Sequence, residues 1–322
     1  MNKFIIIPAD SFIWNKNELL KFLIDNQNGN ILIDTNGEGC CLTSIGLYDI
    51  LSLFNFKSVT IDTNNILEKH NKYNITGNNF FKFFDVKNIN YEEFHSWNQN
   101  KIAGAFYNRP LWHRIGLVSE LMHDYADKSL VNFRSDPHDD DARQFFEIQR
   151  LFEVNPTSAE KFFQINHKLP VQLEEIDGYT LGATTKQHTD QLCHFYPHIF
   201  VDLVAETFIN GKTFFATEKT VRPMLLKKPF IIMGPKNFLI YLRQMGFRTF
   251  HDFWDEDYDG FDNRFRRQAN LKYQKILQIV KLINSKSTNE LETMYNLMQD
   301  ILDHNYNLLI NGTYNRNIKY IE

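Results

Sequence analysis

Short apolar runs alternate with stretches of helical periodicity along the first hundred residues. The runs Asn30–Asp34 and Ser58–Asp62 are typical of buried strands, and apolar residues recur with helical spacing over 17–25 and 44–54. A strand, a loop, a helix and a second strand in this order indicate a parallel α/β unit. Residues 64–100 show no pattern that assigns them to a helix or a strand.

A second set of strand and helix patterns begins at Lys101. It predicts strands at 101–107, 130–133, 200–207 and 229–233, and helices at 111–122, 217–228 and 238–245. Residues 155–198 contain several turn residues and are expected to be irregular. Beyond Asp262 the pattern is helical through 284, and again over 289–303. The chain is therefore predicted to be an α/β protein with two Rossmann-like units, followed by C-terminal helices.

Composition and charge narrow the classes of function. The chain has 322 residues, 43% of them hydrophobic and 23% charged, as expected for a globular protein of about two domains. Its net charge of −4 provides no overall positive field for nucleic acid, although a local basic groove is compatible with it. The 3 cysteines form no C-x-x-C pair, which argues against a zinc site or a disulfide framework. The N-terminus lacks the apolar core of a signal peptide and no stretch is long enough to span a membrane, so we expect a cytoplasmic protein.

Two junctions between a predicted strand and a predicted helix carry unusual side chains. FYNRPLWHRIG places His113 and Arg114 after the first strand of the second unit, and FFATEK places Thr217, Glu218 and Lys219 at a helix start. In parallel sheets, ligands bind beyond the carboxyl ends of the strands, where loops enter helices. A helix N-terminus also offers unpaired N–H groups and a positive dipole to phosphate. The two junctions therefore predict an anion site.

The residue types suggest how a ligand would be held there. Lys219 adds a positive charge at the helix start, and Arg114 is able to bind the same phosphate through two N–H groups. Phosphate repels Glu218, whereas a ribose diol can donate two hydrogen bonds to its carboxylate. Together these residues suggest a nucleoside diphosphate. The alternative is that Thr217 is only an N-cap, with Glu218 favourable in the first turn and Lys219 solvated.

Two segments resemble the donor-binding half of the α-1,3-fucosyltransferases, which are glycosyltransferases with two Rossmann domains (the GT-B architecture). KIAGAFYNRPLWHRIG is similar to that family's strand, Ser-Asn turn and arginine, with Asn108 at the turn and Arg114 at the arginine position. Residues 200–235 are similar to its second donor segment, and the matching positions are Glu206, Thr217, Glu218, Lys219 and Gly234. The resemblance covers roughly residues 101–260.

This resemblance implies a nucleotide-sugar donor site in a GT-B fold. Arg114 and Lys219 would contact the diphosphate, and Glu218 would contact the ribose. His113, beside Arg114, and Arg222, inside the helix start, complete the predicted donor-binding set. The implied domains are an acceptor-side domain at 1–100, a donor-binding domain at 101–262, and helices at 263–322 that pack back on the domains. The nucleotide sugar is a co-substrate, and no other cofactor is expected.

The catalytic base is expected to come from the N-terminal unit. Inverting sugar transfer needs a carboxylate that takes the proton of the acceptor hydroxyl. Glu38, in the glycine-flanked loop TNGEGCC, is the first candidate, and Asp10 in PADSF is the second. The alternatives are a solvated loop acid for Glu38 and a turn or helix cap for Asp10. The acidic residues 135–141 have ligand types that suit Mg²⁺ or Mn²⁺, but a solvated loop is favoured, and His194 and His198 are expected to be structural.

The predicted function is the transfer of a hexosyl or pentosyl group from a nucleoside-diphosphate donor to an acceptor hydroxyl, with inversion and without a metal. The first hundred residues do not resemble the acceptor domain of the fucosyltransferase family, so the acceptor stays open among a glycan, modified DNA and a small molecule. Phage DNA glucosyltransferases that act on hydroxymethylated bases, which share this two-domain plan, are one alternative. A non-catalytic nucleotide-sugar-binding module is another. Thr207 stands where the fucosyltransferases have Asn, so fucose is not assumed to be the sugar.

Overall fold

Two parallel β-sheets with helices packed around them make up the computed structural model of the chain. The structure describes residues 1–6, 8–9, 13–35, 38–77, 90–107, 109–133, 141–171, 173, 192–315 and 317–321. Within these ranges the predicted α/β class is confirmed. No helix in this part of the chain combines the length and the apolarity needed to cross a bilayer.

The first sheet has four parallel strands. In sheet order they are β1 (Asn2–Ile5), β4 (Asn30–Asp34), β5 (Ser58–Asp62) and β6 (Asn74–Thr76). The short strands β2 (Pro8–Ala9) and β3 (Ile13–Trp14) pair antiparallel in a separate ribbon. The helices α1 (Lys16–Asp25) and α2 (Leu47–Ser52) lie between successive strands of the sheet. Ile31 and Ile33 lie on the same face of β4 and are fully buried, whereas Leu32 between them is half-buried, so the face with Ile31 and Ile33 forms the core.

The second sheet also has four parallel strands. In sheet order they are β10 (Phe230–Met233), β9 (Val201–Ala205), β7 (Ala103–Tyr107) and β8 (Ser129–Phe133). Every residue of these strands is buried, as is usual where helices cover both faces of a parallel sheet. The helices of this unit are α3 (Trp112–Asp124), α4 (Asp141–Val154), α5 (Pro156–Ile165), α6 (Glu218–Leu225), α7 (Phe238–Gln244), α8 (Arg266–Asn284), α9 (Thr288–Leu297) and α10 (Gln299–Asn311).

Two predictions about where helices lie are wrong. The segment 155–198 is not irregular throughout, because α5 lies in it. Asn155 is the N-cap of α5 and its side chain accepts a hydrogen bond from Ser158 N at 3.0 Å, so the Asn-Pro pair was a start signal. The pattern over 289–303 corresponds to two helices, α9 and α10, which are separated at Met298.

The connections of the second sheet leave β7 and β9 in opposite directions. From β7 the chain crosses through α3 to β8 at one edge of the sheet, and from β9 it crosses through α6 to β10 at the opposite edge. Such a reversal opens a crevice at the carboxyl ends of the two strands, where ligands bind in open α/β sheets. The starts of α3 and α6 therefore lie on two sides of one crevice.

The two units contact each other through loops that follow the carboxyl ends of their strands. Asn65, after β5, donates from Nδ2 to Lys212 O at 2.9 Å and accepts at Oδ1 from Phe214 N at 3.0 Å. The Thr213 hydroxyl donates to the carbonyl of Gly39, after β4. A Cβ at Gly39 would lie 2.3 Å from an aromatic ring of the opposite loop, so this close approach requires glycine.

The predicted domain limits at 100 and 262 stay a prediction. The segment just before 100 already packs on the second unit: the Trp97 and Phe200 rings are 5.2 Å apart, and Lys228 Nζ donates to His95 O at 2.8 Å. Among the C-terminal helices, α8 contacts β10 and α4, and α10 contacts α6.

Candidate functional site

Helix α6 starts at the Thr-Glu-Lys sequence, beside the carboxyl end of β9. Thr217 has an extended backbone and its hydroxyl accepts a hydrogen bond from Lys219 N at 3.3 Å, so Thr217 is the N-cap. The carboxylate of Glu206 accepts hydrogen bonds from Thr217 N at 3.0 Å, from the Thr217 hydroxyl at 2.7 Å and from the Thr220 hydroxyl at 2.6 Å. Glu206 is only 1% exposed, and both of its carboxylate oxygens position α6.

His113 and Arg114, in the first turn of α3, hold the same end of β9. Arg114 donates to Ala205 O at 2.9 Å and to Thr207 Oγ1 at 3.0 Å. Nε2 of His113 donates to Glu206 O at 2.9 Å. Burial lowers the pKa of His113 well below its ordinary value, so the ring is neutral, and burial lowers the pKa of Arg114 to about 10, which leaves it charged at neutral pH. These contacts favour a structural role, and contact of either residue with a donor stays a prediction.

Glu218 and Lys219 form an ion pair at the start of α6. The side chain of Lys219 is 13% exposed and that of Glu218 is 41% exposed, and Lys219 Nζ also donates to Thr217 Oγ1 at 3.3 Å. Burial opposes ionisation of Glu218, but the positive charges of Lys219 and Arg222 outweigh it and lower the pKa of Glu218 to about 2. Glu218 is therefore ionised at neutral pH, and both side chains of the pair have exposed surface.

The backbone around Glu38 is held firmly in the loop after β4. The carbonyl of Glu38 accepts hydrogen bonds from the Thr35 hydroxyl at 2.7 Å, from Asn64 N at 3.1 Å and from the Thr63 hydroxyl at 3.3 Å. Its carboxyl, by contrast, has no hydrogen bond to another residue that the structure describes. The loop thus holds the backbone of Glu38 in place and leaves its carboxyl without a hydrogen bond to the described residues.

The charges around Glu38 come from the second unit. Burial raises the pKa of Glu38, the cations Arg109 and Lys219 oppose this rise, and the carboxylates of Glu218 and Glu206 reinforce it. These interactions place the carboxyl of Glu38 in the electrostatic field of the α6 start and of the residues after β7. A carboxyl with a raised pKa is suited to accept a proton near neutral pH.

The other predicted site residues lie elsewhere or outside the described ranges. Arg222, a residue of α6, is 3% exposed and has the buried Asp202 of β9 as an acidic neighbour, so its side chain lies between α6 and β9. The carbonyl of Gly234 accepts hydrogen bonds from two side chains of the C-terminal part, both at 2.9 Å. Asp10 and Asn108 lie outside the described residues.

The histidines predicted to be structural contact neighbouring side chains. His198 Nδ1 is hydrogen-bonded to the side chains of Asn98 at 2.8 Å and Asn100 at 2.9 Å, and the His194 ring packs edge-on against Phe94. In the described ranges, no group of three or more His, Cys, Asp or Glu side chains is arranged to hold a metal ion. Residues 135–140 of the acidic stretch lie outside those ranges.

Sequence reasoning did not select Asn65 or Thr213 for the site, and it gave Arg109 of the FYNRPLWHRIG junction no role in ligand binding. Asn65 and Thr213 join the two units, and no motif announces such a contact, because it depends on how two distant loops pack. Arg109 lies in the predicted junction after β7, where its side chain is exposed, and its effect on Glu38 follows from the approach of the first unit.

Comparisons with known proteins add little to this geometry. No protein-family description and no curated protein matches the chain. Among solved structures, a glycosyltransferase from Rickettsia africae ESF-5 is similar over 93% of this chain and 78% of its own, with 10% sequence identity and a TM-score of 0.33. A likeness of this degree gives no information about the activity of this chain.

Proposed function

We propose that the protein is a glycosyltransferase of the GT-B type, which moves a sugar from a nucleoside-diphosphate donor to an acceptor hydroxyl in the crevice between its two units. The observation that carries this proposal is the packing of Gly39, the residue after Glu38, against Phe215, two residues before the N-cap of α6, which brings the loop after β4 to the charged start of that helix. Each side of the crevice thus supplies one of the two functions that sugar transfer needs, a proton acceptor and a site for an anionic leaving group.

The donor lies at the start of α6 in this proposal. Lys219 and the positive end of the α6 dipole bind the diphosphate, and the ionised carboxylate of Glu218 accepts hydrogen bonds from the ribose. Arg109 supplies a second cation, since the guanidinium of Arg114 already donates to Ala205 and Thr207. The Glu218–Lys219 ion pair opens when the two ligand groups replace it.

Glu38 acts as the general base. Its carboxylate takes the proton of the acceptor hydroxyl as the acceptor oxygen forms a bond to the anomeric carbon. The bond from that carbon to the diphosphate breaks, and the diphosphate leaves with the electron pair. Lys219, Arg109 and the α6 dipole stabilise the charge that develops on the leaving group, so the proposed reaction inverts the anomeric centre and needs no metal.

A thermal-shift screen with nucleoside diphosphates and their sugars tests the donor site. A ligand that binds only the folded protein raises its stability by about 2.7 kcal/mol at a hundredfold excess over Kd. We expect one nucleotide to raise Tm in the wild type and in Lys227→Ala. Lys227 lies at the other end of α6 and pairs with Asp303, so it is the matched control.

The expected result for Lys219→Ala and Glu218→Ala is a reduced shift with the same nucleotide. Equal shifts in all variants would refute the assignment of α6. The absence of any shift with every nucleotide and nucleotide sugar would refute the proposed donor class. A nucleotide sugar that binds but is neither transferred nor slowly hydrolysed would instead identify a non-catalytic binding module.

A further inference from the structure

A small cleft lies at the β10 end of the carboxyl edge of the second sheet. Its volume is about 50 Å³, enough for a few water molecules or one tetrahedral oxyanion. Lys212, Lys236, Arg264, Asp262 and Tyr320 are among the residues that line it, and neither Glu218 nor Lys219 is. The start of α6 and this cleft are therefore two separate places along one edge of the sheet.

The lining of the cleft carries an excess of positive charge. Three of its side chains are cationic and one, Asp262, is acidic. Arg264 neutralises Asp262 through a two-pronged contact, with Nη2–Oδ2 at 2.7 Å and Nε–Oδ2 at 3.0 Å. Lys212 and Lys236 are the two remaining positive charges of this concave surface, and the half-buried Glu68 is an acidic neighbour of Lys212.

Neither lysine forms an ion pair with a carboxylate of the described residues, and Glu68 acts on Lys212 only through the longer-range field. Lys212 Nζ lies 3.7 Å from the centre of the Tyr320 ring, which holds the ammonium by a cation–π contact and leaves its charge in place. Lys236 has no ion pair or side-chain hydrogen bond within the described part of the chain. Two ammonium groups beside one small cleft match the double negative charge of a phosphate group.

The walls of the cleft are fixed in place. Lys236 follows the 234–235 turn, whose two carbonyls accept hydrogen bonds from the buried Lys272 Nζ at 2.9 and 3.2 Å. On the other side, the carbonyl of Lys212 accepts a hydrogen bond from Asn65 of the first unit, and Leu67 of that unit also lines the cleft. The cleft is thus bounded by both units.

We propose that this cleft is a second anion site, distinct from the donor diphosphate site, and that it binds a phosphate group of the acceptor. The inference rests on the proposed transfer reaction for the identity of the occupant. It makes the acceptor a phosphate-bearing molecule whose hydroxyl reaches Glu38 while its phosphate lies between Lys212 and Lys236.

Calorimetric titration with inorganic phosphate tests the site itself. We expect the wild-type protein to bind phosphate, and Lys212→Ala/Lys236→Ala to bind it at least about tenfold more weakly, since each charged hydrogen bond contributes a factor of that order. Lys227→Ala/Lys275→Ala is the control, because it removes the same charge from surface ion pairs with Asp303 and Asp255. Equal affinity in the cleft variant and in the control would overturn the proposal.

A competition experiment separates this site from the donor site. Saturating nucleoside diphosphate should leave phosphate binding unchanged, and the cleft variant should bind the nucleotide normally. Displacement of phosphate by the nucleotide would contradict a second site. If no nucleotide binds while phosphate still binds in a manner that depends on Lys212 and Lys236, the proposed donor site fails and the anion site survives.

The source of the phosphate is distinguished by two probes, a hexose phosphate and a short single-stranded oligonucleotide. The probe that competes with inorganic phosphate in the wild type, and loses affinity in the cleft variant, identifies the acceptor class. A phosphorylated acceptor should then be used with a kcat/KM at least about tenfold above that of its dephosphorylated form, and the cleft variant should lose this preference. Equal use of both forms by the wild type would refute the assignment to the acceptor.

Discussion

The loop after β4 and the loop after β9 each carry a glutamate, but the two carboxylates have opposite surroundings. Glu206 uses both oxygens to accept hydrogen bonds from Thr217 and Thr220. Glu38 instead has its backbone carbonyl held by three donors, while its carboxyl is hydrogen-bonded to no other described residue. A carboxylate whose two oxygens both accept hydrogen bonds positions the neighbouring helix. A carboxyl whose backbone is held, but which accepts no hydrogen bond itself, is available for chemistry.

The same contrast separates the cations of the second unit. Arg114 is buried and donates to the end of β9, so it builds the crevice. Lys219 is partly exposed, and its principal partner, Glu218, is a neighbour in sequence that a ligand can replace. We therefore assign ligand contact to Lys219 and a supporting role to Arg114, although both are basic residues of the predicted set.

The largest effect is expected for Glu38→Gln. This change keeps the size of the side chain and removes its ability to take a proton, so kcat should fall by about 10²- to 10⁴-fold while the donor is still bound. Initial rates with the donor found by the nucleotide screen measure this. A kcat within a few-fold of the wild type would mean that Glu38 is not the base.

The pH dependence of the wild type sharpens this assignment. The base is active when deprotonated, and burial raises the pKa of Glu38 above 4.5, so kcat should fall as the pH drops through that raised pKa. The acid limb should therefore lie above the range of an ordinary glutamate. It should be missing from the residual activity of Glu38→Gln, and an unchanged limb in that variant would assign the titration to another group.

Glu206→Ala tests the opposite side of the comparison, because it should act on stability first. Removal of the carboxylate leaves the Thr217 N–H and two buried hydroxyls without their acceptor, and each such loss costs about 1–3 kcal/mol. We expect the free energy of unfolding to fall by about 3 kcal/mol or more in denaturant titrations. A stable variant that loses only turnover would show that Glu206 takes part in the chemistry.

Asn65→Ala is expected to have the smallest effect of this series. It leaves Lys212 O and Phe214 N without a partner between the two units, which should cost about 2 kcal/mol and lower kcat only indirectly. The control is Asn74→Ala, whose side chain makes a single exposed contact at 3.5 Å. Equal unfolding free energies for the two variants would show that Asn65 does not join the units.

Much of this architecture was predictable from periodicity. The strands Asn30–Asp34 and Ser58–Asp62 have the predicted limits, because each is a short run with apolar residues at its centre, as is typical of a buried strand. The helix start at Thr217 followed from an N-cap residue before an acid. α5 also had a signal in its Asn-Pro start, but the turn residues further along obscured it.

Other features of the site depend on packing that no local pattern records. Arg114 and Lys219 are both basic residues near the start of a helix that follows a strand, so the sequence does not separate their roles. Only the structure shows that Arg114 donates to the end of β9. The contact between Asn65 and the residues after Gly211 joins segments far apart in the chain. Glu38 was selected for its glycine-flanked loop, but its position opposite α6 follows from that long-range contact.

The measurement that tests the central claim most directly is the affinity of a nucleoside diphosphate for the wild type and for Glu38→Gln, determined by calorimetry at pH 8. If Glu38 faces the start of α6 across the crevice, its negative charge opposes the diphosphate, and its removal should tighten binding roughly threefold or more at separations of several ångströms. Identical affinities in the two proteins would contradict the account, because they would place the carboxyl of Glu38 outside the field of the donor site.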